Sequence, residues 1–303
     1  MEARPRRLAW VRPRDGHLRG QLGSWALALA GPLMVDGRRA DAEPRAMDPS
    51  LPVPEQLLDA LVAGIRAVLG GHLIGIYLYG SAVSGGFDEG VSDLDLVVVT
   101  EPEVEAIDLA GLERLQLDVI ERNPAWRDRL EIIYIGRTTL WSFRTNTGLL
   151  AVISPGEPFH VVGGVADWLQ NWYLVRETGV TLHGPPPPTV IPSITRTEYV
   201  AAIRRYAGWL GDRDRADLGP GSLAYAVLSL CRAYRTVRTG RPCSKQEGAA
   251  WTTERMPEWA WLIEAALRCR MAKGTSAFDD TATRAARTFI GLVARKVAGL
   301  RIG

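Results

Sequence analysis

The chain has 303 residues, 47% of them hydrophobic and 23% charged, a balance that suits a globular protein with room for two cores and gives no sign of a fibre or a solenoid. Its formal charge of +2 is unevenly spread: residues 1–46 hold nine arginines against five acidic residues, leaving 27 basic and 29 acidic residues in the remainder, without the basic footprint of a polynucleotide-binding enzyme. The three cysteines, Cys231, Cys243 and Cys269, and the four scattered histidines have no metal-ligand spacing, so the thiols read as free in a reducing compartment.

In chain order, an arginine-rich start comes first. Its short apolar stretch, residues 25–34, faintly imitates a secretory signal but is interrupted by Gly31 and Pro32, and no segment reaches the ~20 apolar residues of a membrane-spanning helix. We read residues 1–46 as a disordered extension, or as preceding a true start at Met47, and the protein as cytoplasmic. From Pro54 the spacing of Leu57, Leu58, Leu61, Ile65, Val68 and Leu69 predicts an amphipathic helix that stops at Gly70-Gly71. The apolar run Leu73–Tyr79 predicts a buried strand, ended abruptly by Gly80-Ser81. A loop punctuated by Gly85, Gly86 and Gly90 leads to a second strand over residues 94–99. A helix over 108–122, a strand over 129–135 and an apolar stretch over 149–153 complete a first domain, 47–155. After a turn-rich hinge the second domain, 156–303, reads as helices over 167–178, 196–211, 221–239, 245–255, 257–274 and 278–298. Ser244 and Glu247 form a capping-box pair at the start of the fourth.

The chemistry concentrates in residues 77–99. Backbone N–H groups at Gly80-Ser81 are able to approach an anion closely where a short helix begins. Asp93 and Asp95 stand at the entrance of a strand, where residues two apart share a face. Two carboxylates so close repel each other unless a cation joins them. Either half alone suits an ordinary turn or a loop cap; the conjunction, with an eleven-residue spacer and apolar strands on both sides, points to a metal-bound nucleoside triphosphate. Glu131 adds a carboxylate inside an otherwise apolar strand, where charge is costly unless paired or metal-bound.

This segment resembles the nucleotidyltransferase superfamily pattern: an apolar strand, Gly-Ser, about ten residues, then Asp-hydrophobic-Asp-hydrophobic. Residues 176–184 and 228–257, including Arg232, Lys245 and an Ala-Trp helix at Trp251, further resemble the aminoglycoside 3''-adenylyltransferase family. The resemblance implies an α+β protein, with an N-terminal polymerase beta-like nucleotidyltransferase domain built on a mixed sheet and a C-terminal helical bundle. It also implies Mg²⁺-dependent adenylyl transfer from ATP to an antibiotic hydroxyl, with release of pyrophosphate. Asp93 and Asp95 would hold two Mg²⁺ ions, with Glu131 as the third acidic member of the metal site and general base. Gly80, Ser81, Arg232 and Lys245 would bind the triphosphate. The expected partners are ATP and a small hydroxylated, cationic acceptor such as streptomycin or spectinomycin, with no membrane or nucleic acid and with the chain as a monomer.

Two family positions that help bind drug differ here: the acidic one falls on Ser222 and the histidine on Tyr225. Asp212, Asp214 and Asp217 are substitutes by proximity, and Trp141, Trp168, Trp172 and Trp209 are candidate pocket walls, although tryptophans at helical spacing are more often core. Transfer to a protein or RNA, and a non-catalytic nucleotide-binding regulator, remain alternative readings of the same residues.

Overall fold

The computed structural model describes residues 51–145, 148–212, 218–272 and 278–300. The arginine-rich start, Asp214 and Asp217 lie outside them. Helix α1 (Glu55–Leu69) buries the predicted stripe of Leu57, Leu58, Leu61, Ile65 and Leu69. Strand β1 (Leu73–Tyr79) ends at a single helical turn, Ser81–Ser84. Then come β2 (Leu94–Thr100), α2 (Leu109–Arg122), β3 (Leu130–Gly136), β4 (Leu150–Ile153) and β5 (His160–Val162). Helix α3 (Leu169–Thr178) and β6 (Val180–His183) follow. The rest is helical: α4 (Arg196–Asp212), α5 (Pro220–Thr239), α6 (Lys245–Arg255), α7 (Ala260–Met271) and α8 (Asp280–Gly299). None of the helices described is long and apolar enough to cross a membrane.

The strands form one mixed sheet in the order β5-β4-β3-β2-β1-β6, parallel between β2 and β3 and antiparallel elsewhere. Alternation assigns its two faces. Ile76, Leu78, Leu94, Leu96, Val98, Ile132 and Tyr134 pack with α1 and α2, while Tyr77, Val97, Val99, Ile133 and Ile135 pack with Leu169, Trp172 and Val175 of α3. A third core joins α4, α5, α6, α7 and α8 around Val227, Leu230, Phe289 and Val293.

The sheet does not stop at residue 155. Strand β5 and the edge strand β6, paired with β1, come from stretches of the second, helical domain to which the sequence assigns no element. Both are three or four residues long, too short to show a period, and β6 buries only Leu182 among its four side chains. Trp172 is fully buried, donating from Nε1 to Val165 O at 3.2 Å, and Trp141 is 50% exposed, donating to Val190 O at 3.0 Å. Neither tryptophan is a pocket wall.

Candidate active site

The pairing register builds the site. Asp95 stands opposite Tyr79 on one side and Glu131 on the other, and directly paired residues project to the same face. Because β1 runs antiparallel to β2 and β3, its C-terminal end lies beside their N-terminal ends. The two carboxylates therefore emerge where the α3-facing core gives way to a cavity. Gly80 has φ 76° and ψ −144°, a backbone conformation that side chains disfavour, and a Cβ there would collide with the Asp95 carboxylate. The glycine both turns the chain into the Ser81–Ser84 helix and leaves room for Asp95.

The helical bundle supplies the facing wall. Arg232 lies on α5, and Gly248 on α6 packs directly on its backbone: a Cβ at Gly248 would stand 2.8 Å from Arg232 Cα. That close approach brings the start of α6 beside Arg232. The predicted capping box is present, with Ser244 Oγ accepting from Glu247 N at 3.1 Å and Glu247 Oε2 accepting from Ser244 N at 2.8 Å. Lys245, the first residue of α6, holds its ammonium 4.7 Å from the centre of the Tyr225 ring. A cation at a helix N-terminus opposes the helix dipole, so the aromatic face partly compensates an unfavourable position.

Between sheet and bundle lies a cavity of about 580 Å³, and Gly80, Ser81, Asp93, Asp95, Glu131, Arg232 and Lys245 all line it. Glu131 is only 9% exposed. Its charge is thus held at the edge of the core, facing the cavity rather than bulk water. Asp93 has a cationic neighbour in Arg129, whose pKa is lowered by burial while the charges of Asp93 and Glu89 act the other way. Arg129 also donates from Nε and Nη2 to Ser92 O at 2.9 and 2.7 Å, fixing the residue before Asp93.

The three carboxylates lining one wall are hard oxygen donors of the kind that suit magnesium. Among the described residues no three acidic, histidine or cysteine side chains are already drawn together around one point. The fit to a metal therefore rests on donor chemistry and on the adjacent register of Asp95 and Glu131, with side-chain rotation left to complete it.

Several residues of the site had no signal in the sequence. Asp88, in the loop between β1 and β2, pairs with Arg270 of α7 at 2.8 Å and accepts from Gln246 Nε2 of α6 at 2.6 Å. Arg270 also donates to Ser92 Oγ at 3.1 Å. This clasp ties the loop leading to Asp93 directly to the bundle. Asp167, in the turn before α3, lines the cavity with one carboxylate oxygen buried and without a hydrogen-bond partner. Burial pushes its pKa up to about 6, against the opposing pull of Arg205. Trp168 and Trp209 line the cavity as well. Ser222 does not, and Asp212 is exposed outside it. Tyr225 does, its hydroxyl 3.2 Å from that of Tyr206.

A mixed sheet with a Gly-Ser turn and carboxylates at one end, facing cations from a helical bundle, is the arrangement expected of a nucleotidyltransferase. Residues 65–147 match the nucleotidyltransferase domain, and residues 189–295 match the C-terminal domain of aminoglycoside adenylyltransferases. The chain is similar to the spectinomycin 9-adenylyltransferase of Campylobacter jejuni, 24% identical over 217 residues that cover 67% of this chain and 80% of that protein. It is likewise similar to a Staphylococcus aureus spectinomycin 9-adenylyltransferase, 22% identical over 229 residues, with 68% and 80% covered. A solved spectinomycin adenyltransferase from Enterococcus faecialis, with ATP and spectinomycin, shares the fold at a TM-score of 0.64 and 18% identity, over 80% of this chain and 98% of that one. The protein is an aminoglycoside adenylyltransferase-like nucleotidyltransferase.

Proposed function

We propose that the enzyme transfers the adenylyl group of ATP to a hydroxyl of a small cationic acceptor, an aminocyclitol antibiotic of the streptomycin or spectinomycin kind, and releases pyrophosphate. The observation that carries this reading is the convergence of all seven expected residues, from both halves of one chain, on a single cavity. No second copy is needed to complete the set, which supports a monomer, and the need for ATP supports a cytoplasmic setting.

In this mechanism the backbone at Gly80 and the Ser81 hydroxyl hold phosphate oxygens at the start of a helical turn. Arg232 and Lys245 reach the triphosphate from the opposite wall, and neutralise charge that grows on the departing pyrophosphate. Glu131 accepts the proton of the acceptor hydroxyl as its oxygen attacks the α-phosphorus and the bond to pyrophosphate breaks. Asp93 and Asp95, with Glu131 beside them, would hold Mg²⁺, which when bound would screen the phosphates and favour the leaving group. The shared cavity wall keeps base, phosphate grip and cations within reach of one substrate, so most of the rate gain comes from positioning.

The test is acceptor-dependent release of pyrophosphate from Mg²⁺-ATP across a panel of aminocyclitols. We expect Glu131→Gln to lower turnover by ~10²- to 10⁴-fold, the usual contribution of a general base, while ATP affinity stays within a few-fold. Wild-type activity in that variant would remove Glu131 from its role. Release accompanied by modification of protein or RNA, with no small acceptor present, would move the acceptor to a macromolecule.

A further inference from the structure

The cavity is also lined by a set of residues that the phosphate-facing reading does not use. Asp167 and Trp168 precede α3, Asn171 lies one turn on and donates to Tyr79 Oη at 2.8 Å, and α4 contributes Tyr206 and Trp209. The last two rings are stacked with centroids 5.8 Å apart. This set is aromatic with one carboxylate, a composition that suits an organic cation.

The carboxylates of the cavity wall divide clearly. Asp93, Asp95 and Glu131 stand at the metal end. Glu247 is held by its capping box and lies 3.7 Å from Arg235. Asp167 remains. Its Oδ2 is shut away from solvent without a hydrogen-bond partner, although buried polar atoms nearly always find one. Arg205, on α4, is exposed and offsets this only in part: burial still pushes the carboxyl up to about 6. An asparagine or an apolar residue would occupy that place at lower cost. A desolvated carboxylate on a cavity wall is stabilised when a cation arrives, and such perturbed acids gather at functional sites.

We propose that Asp167 binds an ammonium or guanidinium group of the acceptor, in a subsite completed by the aromatic surfaces of Trp168 and Trp209. The proposal rests on the adenylyl-transfer reading and deepens it by specifying how a cationic acceptor is chosen.

The experiment compares wild-type protein with Asp167→Asn, using spectinomycin and streptomycin as probes beside their N-acetylated or deaminated counterparts. Steady-state kinetics give KM for each acceptor and for ATP, and calorimetry gives acceptor affinity directly. We expect Asp167→Asn to raise KM and Kd for the cationic acceptor by ten-fold or more, leave KM for ATP within two-fold, and remove the preference for the charged over the neutral acceptor. A variant that keeps both its acceptor affinity and that preference overturns the role of Asp167 while leaving adenylyl transfer standing. Wild-type protein that neither binds nor modifies an aminocyclitol overturns the functional reading, and the proposal with it. A general loss of folding is recognised by an equal loss of ATP affinity, and Asp167→Glu, which keeps the charge, should then recover acceptor binding ahead of Asp167→Asn; failure of that rescue also counts against the subsite.

Discussion

The carboxyl of Asp167 prefers to be neutral in the folded protein, and that preference has a thermodynamic sign. Its pKa rises from 3.8 in the free residue to about 6 on folding, so the folded state binds a proton more tightly than the unfolded state. Stability from this group is fully present below about pH 4 and is lost as the pH climbs through 6. Because the side chain is only partly buried, the cost at neutral pH is discounted for solvent screening to roughly 1 kcal/mol. Asp167→Asn should therefore raise Tm by roughly 2–3 °C at pH 7.5 and change it little at pH 4. Thermal unfolding at the two pH values checks this, and equal shifts at both would show that ionisation is not the cause. An acid that burial destabilises in this way is one the sequence hides. An aspartate shortly before a helix looks like an ordinary helix-start acid, and only the orphaned oxygen reveals otherwise.

At the scale of elements, the Asp88–Arg270 pair joins a loop to a helix 182 residues away in sequence. Side-chain exposures of 18% for Arg270 and 12% for Asp88 place the pair out of bulk water. Removing one partner leaves a poorly solvated charge, so Arg270→Ala should cost about 2–3 kcal/mol. Its more specific effect is local. Asp88 N donates to Ser92 Oγ and Ser92 N to Asp88 O, both at 2.8 Å, and amide exchange of residues 88–92 should accelerate while α5 keeps its protection. Unchanged exchange in that loop would show that the clasp does not hold it.

No such pairing was legible beforehand, since neither Asp88 nor Arg270 carries a pattern. What was legible were elements with an apolar period. Leu73–Tyr79 matches its expected bounds because seven consecutive apolar or small residues end in Gly80, and α6 was marked by Ser244 and Glu247. The strands β5 and β6 escaped because at three and four residues they rely on neighbours rather than on their own sequence. The helix expected over 257–274 opens instead as a tight turn at Pro257–Trp259 and closes at Met271. The residues proposed to grip phosphate were legible for a different reason: a Gly-Ser turn and alternating carboxylates depend on local geometry, whereas the proposed acceptor subsite draws its residues from the turn before α3 and from α4.

For the whole molecule, the consequence is that the nucleotide should act as a bridge. Its proposed ligands are divided between the sheet, with Gly80, Ser81, Asp93 and Asp95, and the bundle, with Arg232 and Lys245. A ligand that binds only the folded state stabilises it by ~2.7 kcal/mol at one hundred times its dissociation constant, here a rise of roughly 5 °C in Tm. If ATP touched the sheet alone, Lys245→Ala would leave that rise unchanged at a fixed ATP concentration. If it spans the cleft, loss of a charge-assisted contact worth about 1.5–3 kcal/mol should remove half of the rise or more. Gly248→Ala tests the same bridge without touching a ligand, because a Cβ there presses on the backbone of Arg232 and must push α6 away from α5. Its ATP-dependent rise in Tm should shrink alongside that of Lys245→Ala, whereas a full rise in both variants would place the triphosphate away from the bundle wall.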